Sequence, residues 1–188
     1  VVERSEFKTE RLILRRWRDS DLEPFAALNS DPDVMEHFPA LMTREESDDL
    51  VARIESAFPE RGFGLWALEV QGAGEFIGFT GLSVPSFDAH FTPAVEVGWR
   101  LARSAWGRGY ASEAARAALA FGFDPAGLTE IVSFTATTNL RSQAVMRRIG
   151  MTHDAADDFD HPRLPAGHRL SRHVLWRITA DQWRASRC

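Results

Sequence analysis

The stretch Trp106-Gly107-Arg108-Gly109-Tyr110-Ala111 sets two glycines and an arginine immediately before an alanine-rich segment. At a helix start the first N–H groups lack partners and carry partial positive charge, so such a stretch can seat an anion. Gly107 and Gly109 remove side chains where a phosphate would lie, Ala111 keeps the next turn small, and Arg108 adds a charge-assisted donor. A turn whose glycines only ease helix packing is the plain alternative. Two nucleotide-binding patterns are excluded by the neighbouring residues. The dinucleotide fingerprint needs a third glycine where Ser112 stands, and an acid at the end of the next strand, which ends at Asn139 without one. The mononucleotide loop needs a lysine after its last glycine, and the nearest candidate, Gly122 to Gly127, is followed by Leu128.

Other groups carry possible chemistry. Glu96 and Arg100 share a face of one expected strand by its period of two, so Glu96 is either a reactive carboxylate or an exposed one beside Arg100. Asn139 and Ser142 form an N-x-x-S pair in which Asn139 can also cap a helix. His161, His168 and His173 lie near Asp157, Asp158 and Asp160. Their spacing matches no closed zinc pattern and no cysteine joins them, so solvated loop residues are expected. The acidic cluster can alternatively hold a cationic amine. Cys188 is the only cysteine, and a terminal position suits a nucleophile poorly.

The elements that must position these residues can be read from periodicity and punctuation. Residues 9–17 read as a first strand. Ser20 with Glu23 is a capping-box spacing that opens a short helix to about Asn29. Thr43 with Glu46 repeats it before a second helix, which Pro59 is expected to close. Residues 62–70, 75–84 and 91–101 read as three strands of an antiparallel meander, the first two joined by a turn at residues 71–74. Residues 107–123 form the clearest helix, with a small-residue face of Ala111, Ala114, Ala115 and Ala118. A fifth strand (129–136), a helix (139–150, stopped by Gly150), a weak strand near Met151, a long polar connection, a last strand (171–178) and a tail with Thr179 and Gln182 in capping spacing complete the chain. The fourth and fifth strands flank one crossover helix and should run parallel.

Composition sets the outer limits. The 188 residues suffice for one domain, read as 1–188, and 44% hydrophobic with 26% charged residues is ordinary for a globular chain. A net charge of −5 argues against general nucleic-acid binding. No apolar run approaches a membrane span, the first residues lack the apolar core of a signal peptide, and the single cysteine fits a reducing compartment. The expectation is a cytoplasmic protein with no membrane partner.

Three segments, residues 9–15, 97–114 and 139–151, resemble in order the GNAT superfamily of N-acetyltransferases, the middle one its acetyl-CoA-binding segment. Gly109-Tyr110-Ala111 closes a loop that the family writes Q/R-x-x-G-x-G/A. Trp106 stands where Gln or Arg is usual, which resembles the branch of ribosomal-protein N-terminal alanine acetyltransferases (RimJ/RimL-like). The resemblance implies an α/β (mixed α+β) fold in three α/β/α layers, its central mixed sheet splayed between parallel strands four and five. It implies acetyl-CoA as cosubstrate, no metal, and an amine acceptor, either a small molecule or a protein N-terminus, in a monomer or homodimer. The pantetheine arm would lie along the backbone of Val97, Trp99 and Leu101. The pyrophosphate would sit on Trp106, Gly107, Arg108, Gly109, Tyr110 and Ala111, with Asn139 and Ser142 also touching CoA.

Acetyl transfer needs a neutral amine, a donor for the developing oxyanion and a proton for the leaving thiolate. Glu96 is the candidate base, directly or through water. The tyrosine acid common in the superfamily falls at Met146, so Ser142 is the candidate acid or only a CoA contact. A non-catalytic acyl-CoA-binding module is the alternative. Phe63, Trp66 and the region of the first two helices can border the acceptor pocket, although aromatics pack in cores by default.

Overall fold

The computed structural model describes residues 6–186. Its strands are β1 (Glu6–Lys8), β2 (Leu12–Arg15), β3 (Leu65–Val70), β4 (Glu75–Ser83), β5 (Glu96–Leu101), β6 (Glu130–Ala136), β7 (Thr152–His153), β8 (Phe159–Asp160) and β9 (Arg172–Thr179). Its α-helices are α1 (Leu22–Asn29), α2 (Arg44–Arg61), α3 (Tyr110–Phe123), α4 (Leu140–Arg148) and α5 (Ala180–Ala185). One mixed sheet runs β1-β2-β3-β4-β5-β6-β9-β7, with β8 also paired to β9. Only β5 and β6 are parallel among the described strands, as the single crossover through α3 requires. Cys188 lies outside the described residues.

The expected meander is β3-β4-β5. The first strand gains a partner that periodicity did not reveal: three-residue β1 pairs back on β2. Ser20 does not cap α1. A 3-10 turn, Asp19–Asp21, precedes the helix, and the Asp21 carboxylate accepts from Arg18 N (2.9 Å) and binds Arg15. Pro59 does not close α2 but lies inside its last turn, and Gly62 (φ 76°) ends it. Proline removes the N–H that would bond to the Glu55 carbonyl, which instead accepts from Arg16 Nη2 at 3.5 Å. The capping boxes at Thr43–Glu46 and Thr179–Gln182 form as spaced.

Helices pack on opposite faces of the sheet. Phe25 of α1 meets Phe79 at 5.9 Å between ring centroids. A Cβ at Gly122 of α3 would reach Leu82, which by alternation lies on the other face of β4. Ala114, Ala115 and Ala118 are fully buried, so the small face of α3 rests against the strands. The alternation continues into β5. Val97 lies in the core shared with α3, while Arg100 pairs with Phe79 on the α1 face.

Candidate active site

β5 and β6 share one bridge, Glu96 with Val132, where Val132 N donates to Val95 O at 2.9 Å. Beyond it they part toward their carboxyl ends, one leading to α3 and the other to α4. Ligands in α/β sheets settle at such carboxyl-end crevices. Here the gap is a cavity of about 1550 Å³, larger than the ~300–1,000 Å³ usual for one small ligand. By the same alternation as Val95, the peptide groups of Val97, Trp99 and Leu101 face the gap. The Val97 side chain is fully buried, and Leu101 O is taken by Trp106 Nε1 at 2.9 Å.

The glycine loop is bare on one side and clamped on the other. Gly107 (φ 72°) and Gly109 (φ 80°) hold left-handed conformations that favour glycine. Gly109 is the N-cap of α3 and supplies no capping side chain, so the first-turn amides lack that partner. Gly107, Gly109, Tyr110 and Ala111 line the cavity. Arg11 Nη1 donates to Arg108 O (2.9 Å), and its guanidinium pairs with Glu113 (2.6 Å) and lies 4.8 Å from the Tyr110 ring, both Arg11 and Glu113 also reaching the cavity wall. Burial would push the Glu113 carboxyl up. Hydrogen bonds from Thr9 Oγ1, Arg11 N and the Arg11 side chain outweigh it and hold it below the ordinary value. The Arg108 side chain is exposed and off the cavity wall. Arg116, Arg141 and Arg148 line the cavity instead, with Arg141 over the Trp106 ring at 4.5 Å.

Glu96 opens β5 on the α1 face and lines the cavity. It makes no ion pair with Arg100, which removes the reading of an exposed pair. Its one side-chain hydrogen bond is from Ser83 Oγ, at 3.5 Å. Glu96 is half-buried, and burial pushes its pKa up to about 8, with Ser83 pulling weakly the other way. Asn139 caps α4 through Ser142 N (3.2 Å), and its Nδ2 donates to Thr135 Oγ1 and Ser142 Oγ. The cap and the cavity wall are the same residues, and the Ser142 hydroxyl proton is left to point elsewhere. Met146 also lines the cavity.

Two histidines change role. His173 lies in β9, only 9% exposed, and the half-buried His161 ring is tilted against it with centroids 5.0 Å apart; both line the cavity. Alternation in residues 171–178 was the available signal for His173. Its Nδ1 faces Ser171 O at 3.2 Å, and a carbonyl only accepts, so Nδ1 carries the hydrogen and Nε2 is the bare nitrogen of the neutral ring. Burial lowers its pKa, Ser171 opposes and His161 adds to the lowering. Burial likewise lowers His161 and His37, the latter on the connection between α1 and α2.

The acidic cluster does not join them. Asp157 pairs with Arg177 (2.7 Å), Asp158 with His153 (2.7 Å) and Asp160 with Arg172 (3.6 Å), and none lines the cavity. Phe63 and Trp66 are core residues, whereas Val34, His37 and Phe38 form the wall expected from the helix region. Among the described residues no group of three or more His, Cys, Asp or Glu is placed to hold a metal ion. No helix there is long and apolar enough to cross a membrane.

Residues 11–152 match the family described as acetyltransferase (GNAT) domain. The uncharacterized protein YkkB of Bacillus subtilis (strain 168) is 35% identical over 144 residues, 76% of this chain and 83% of its own. The FsC-acetyl coenzyme A-N(2)-transacetylase of Aspergillus fumigatus is 33% identical over 165 residues, 83% of this chain and 68% of its own. A solved GNAT-family acetyltransferase from Bacillus anthracis has a TM-score of 0.77 at 27% identity, covering 94% of this chain and 99% of that one.

Proposed function

The chain belongs to the acetyltransferase (GNAT) domain family, and from that premise we propose that it moves an acetyl group to a primary amine by direct transfer in a ternary complex. It is an acetyl-CoA-dependent acyltransferase. When bound, acetyl-CoA supplies the activated acetyl thioester. The residues fit it: a bare helix start for a pyrophosphate, three arginines nearby, and strand peptide groups turned to a gap.

The observation that carries the reading is Glu96, a desolvated carboxyl inside that gap with its pKa at about 8. A base of this strength can take the proton that a primary amine sheds as it attacks. Glu96 takes the proton that the amine must shed. Ser142, its oxygen already accepting from Asn139, has its own proton to give to a leaving thiolate. Trp99 N and its neighbours on β5 serve as donors to the reacting carbonyl. Val97, Trp99 and Leu101 meet the pantetheine arm through their backbone, and Gly107 to Ala111 the phosphates. A small-molecule amine is the first acceptor class, because aromatic and imidazole rings such as Phe38, Phe134, His161 and His173 line the cavity. A protein N-terminus, as in the ribosomal-protein branch, is the second. Residues 1–188 are read as one cooperative domain.

The test mixes the protein with acetyl-CoA and an amine panel and follows free thiol. Turnover that falls by ~10²–10⁴ in kcat for Glu96→Gln is the expected result. Met146 in place of a proton donor favours the second reading, a CoA-binding module. CoA binding with no thiol release from any amine would establish that reading and end the first.

A further inference from the structure

Two arginines are enclosed by this fold, and they are treated differently. Arg15 is 3% exposed and fully compensated, with Nη1 and Nη2 on the Asp21 carboxylate at 2.7 and 2.8 Å and Nε on Glu69 at 2.7 Å. Arg100 has no carboxylate among its partners in the described residues. Its Nη1 donates to Asn29 Oδ1 at 2.6 Å, Met42 Sδ stands 3.8 Å away, and its Nε is buried with no partner. Phe38 and Phe79 cover the guanidinium, with ring centroids at 4.1 and 5.5 Å. Asn29 is itself fixed, fully buried with Nδ2 on Ser47 Oγ at 2.9 Å. Arg100 is half-buried at the cavity wall, and a cation held this rigidly, with Nε enclosed and no anion beside it, is costly unless an anion arrives.

Arg100 lines the cavity, so an anion can arrive there. It lies on the α1 face of β5, opposite the face that packs against α3, so the phosphates of CoA at the start of α3 are not its partner. Glu96 is on the same face, and Gly98 between them leaves the strand bare. The nearest atom to a Cβ built at Gly98 is Glu96 Oε1, at 3.9 Å. One face thus presents a carboxyl, an open floor and an unpaired guanidinium.

We infer that the acceptor is an amine that also carries a carboxylate, with Arg100 receiving the carboxylate and Glu96 the amine. The inference rests on the acetyl-transfer reading for the role of the amine. A carboxylate suits the site better than a phosphate, because one guanidinium among aromatic rings balances one negative charge and leaves a second uncompensated.

The experiment uses matched pairs: 6-aminohexanoate against hexylamine, and phenylalanine against 2-phenylethylamine. Thiol release from acetyl-CoA gives kcat/KM, and calorimetry on the CoA-loaded protein gives binding without turnover. In at least one pair the carboxylate member should be preferred at least tenfold. Arg100→Met should erase that preference through the acceptor KM, with the acetyl-CoA KM unchanged, and Arg100→Lys should restore part of it. Equal or better use of the plain amines in both pairs overturns the inference, as does a preference that survives Arg100→Met. If Arg100→Met does not fold, the wild-type preference and its loss or retention in Arg100→Lys decide. Turnover without carboxylate preference sinks this inference and leaves acetyl transfer standing. Carboxylate binding that depends on Arg100, with no thiol release, does the reverse.

Discussion

Glu96 illustrates how one residue's chemistry is set by what surrounds it. A strand carboxyl next but three to an arginine invites an ion pair, and the fold withholds it by turning Arg100 onto Asn29 and Phe38. The carboxyl is left desolvated at about 8, which has a kinetic and a thermodynamic consequence. As a base it must be ionised, so the pH profile of kcat/KM should rise through about 8 in the wild type, and Glu96→Gln should lose that limb. For stability, the folded pKa is raised above the ordinary value of 4.5, so the folded state favours the protonated form. Glu96's own contribution to stability therefore falls as pH rises from about 4.5 through about 8. Glu96→Gln should melt above the wild type at pH 8, with the gap closing toward pH 4.5. Thermal scans across that range check it, and a pH-independent gap would refute the desolvated carboxyl.

At the scale of elements, the site depends on how α1 and α3 are set against the sheet. The start of α3 is shaped by Gly107 and Gly109 and held by Arg11 and Glu113. Gly109→Glu puts a side chain and a negative charge at a left-handed position whose Cβ stands 3.4 Å from Arg11 Nη2. It should cost about 1–2 kcal/mol in urea unfolding and abolish CoA binding in calorimetry. A folded variant that binds CoA normally would remove the loop from the site. The other anchor is Asp21, just before α1, which is 1% exposed and pairs with Arg15. Asp21→Ala leaves Arg15 with only Glu69 and should cost about 3–5 kcal/mol, read from the urea midpoint at unchanged slope.

Over the whole molecule, the cavity draws its walls from β5, β6, β9, α3, α4 and the connection between α1 and α2, so occupying it links segments far apart in the chain. Acetyl-CoA at 100 times its Kd should add about 2.7 kcal/mol, or about 5–11 °C in Tm for a chain of this size, in one transition. Two resolved transitions would count against a single cooperative unit. Local patterns in the sequence were sufficient for the meander, the parallel crossover, the capping boxes at Thr43 and Thr179 and the glycine loop, because each depends on residues a few positions apart. The short partner β1 and the continuation of α2 through Pro59 were not legible, since a three-residue strand has no period and the proline's lost hydrogen bond is made good by Arg16 from β2's far side of the sequence. The site divides the same way. The family resemblance pointed to Glu96, Asn139, Ser142 and the loop, which spacing alone left open between chemistry and plain structure. That His173 is enclosed, that the aspartates 157, 158 and 160 are spent on ion pairs, and that Arg100 has no counter-ion were decided by tertiary structure alone. Charge compensation and desolvation depend on which groups meet in space, and the sequence interval between Asn29 and Arg100 carries no trace of their contact.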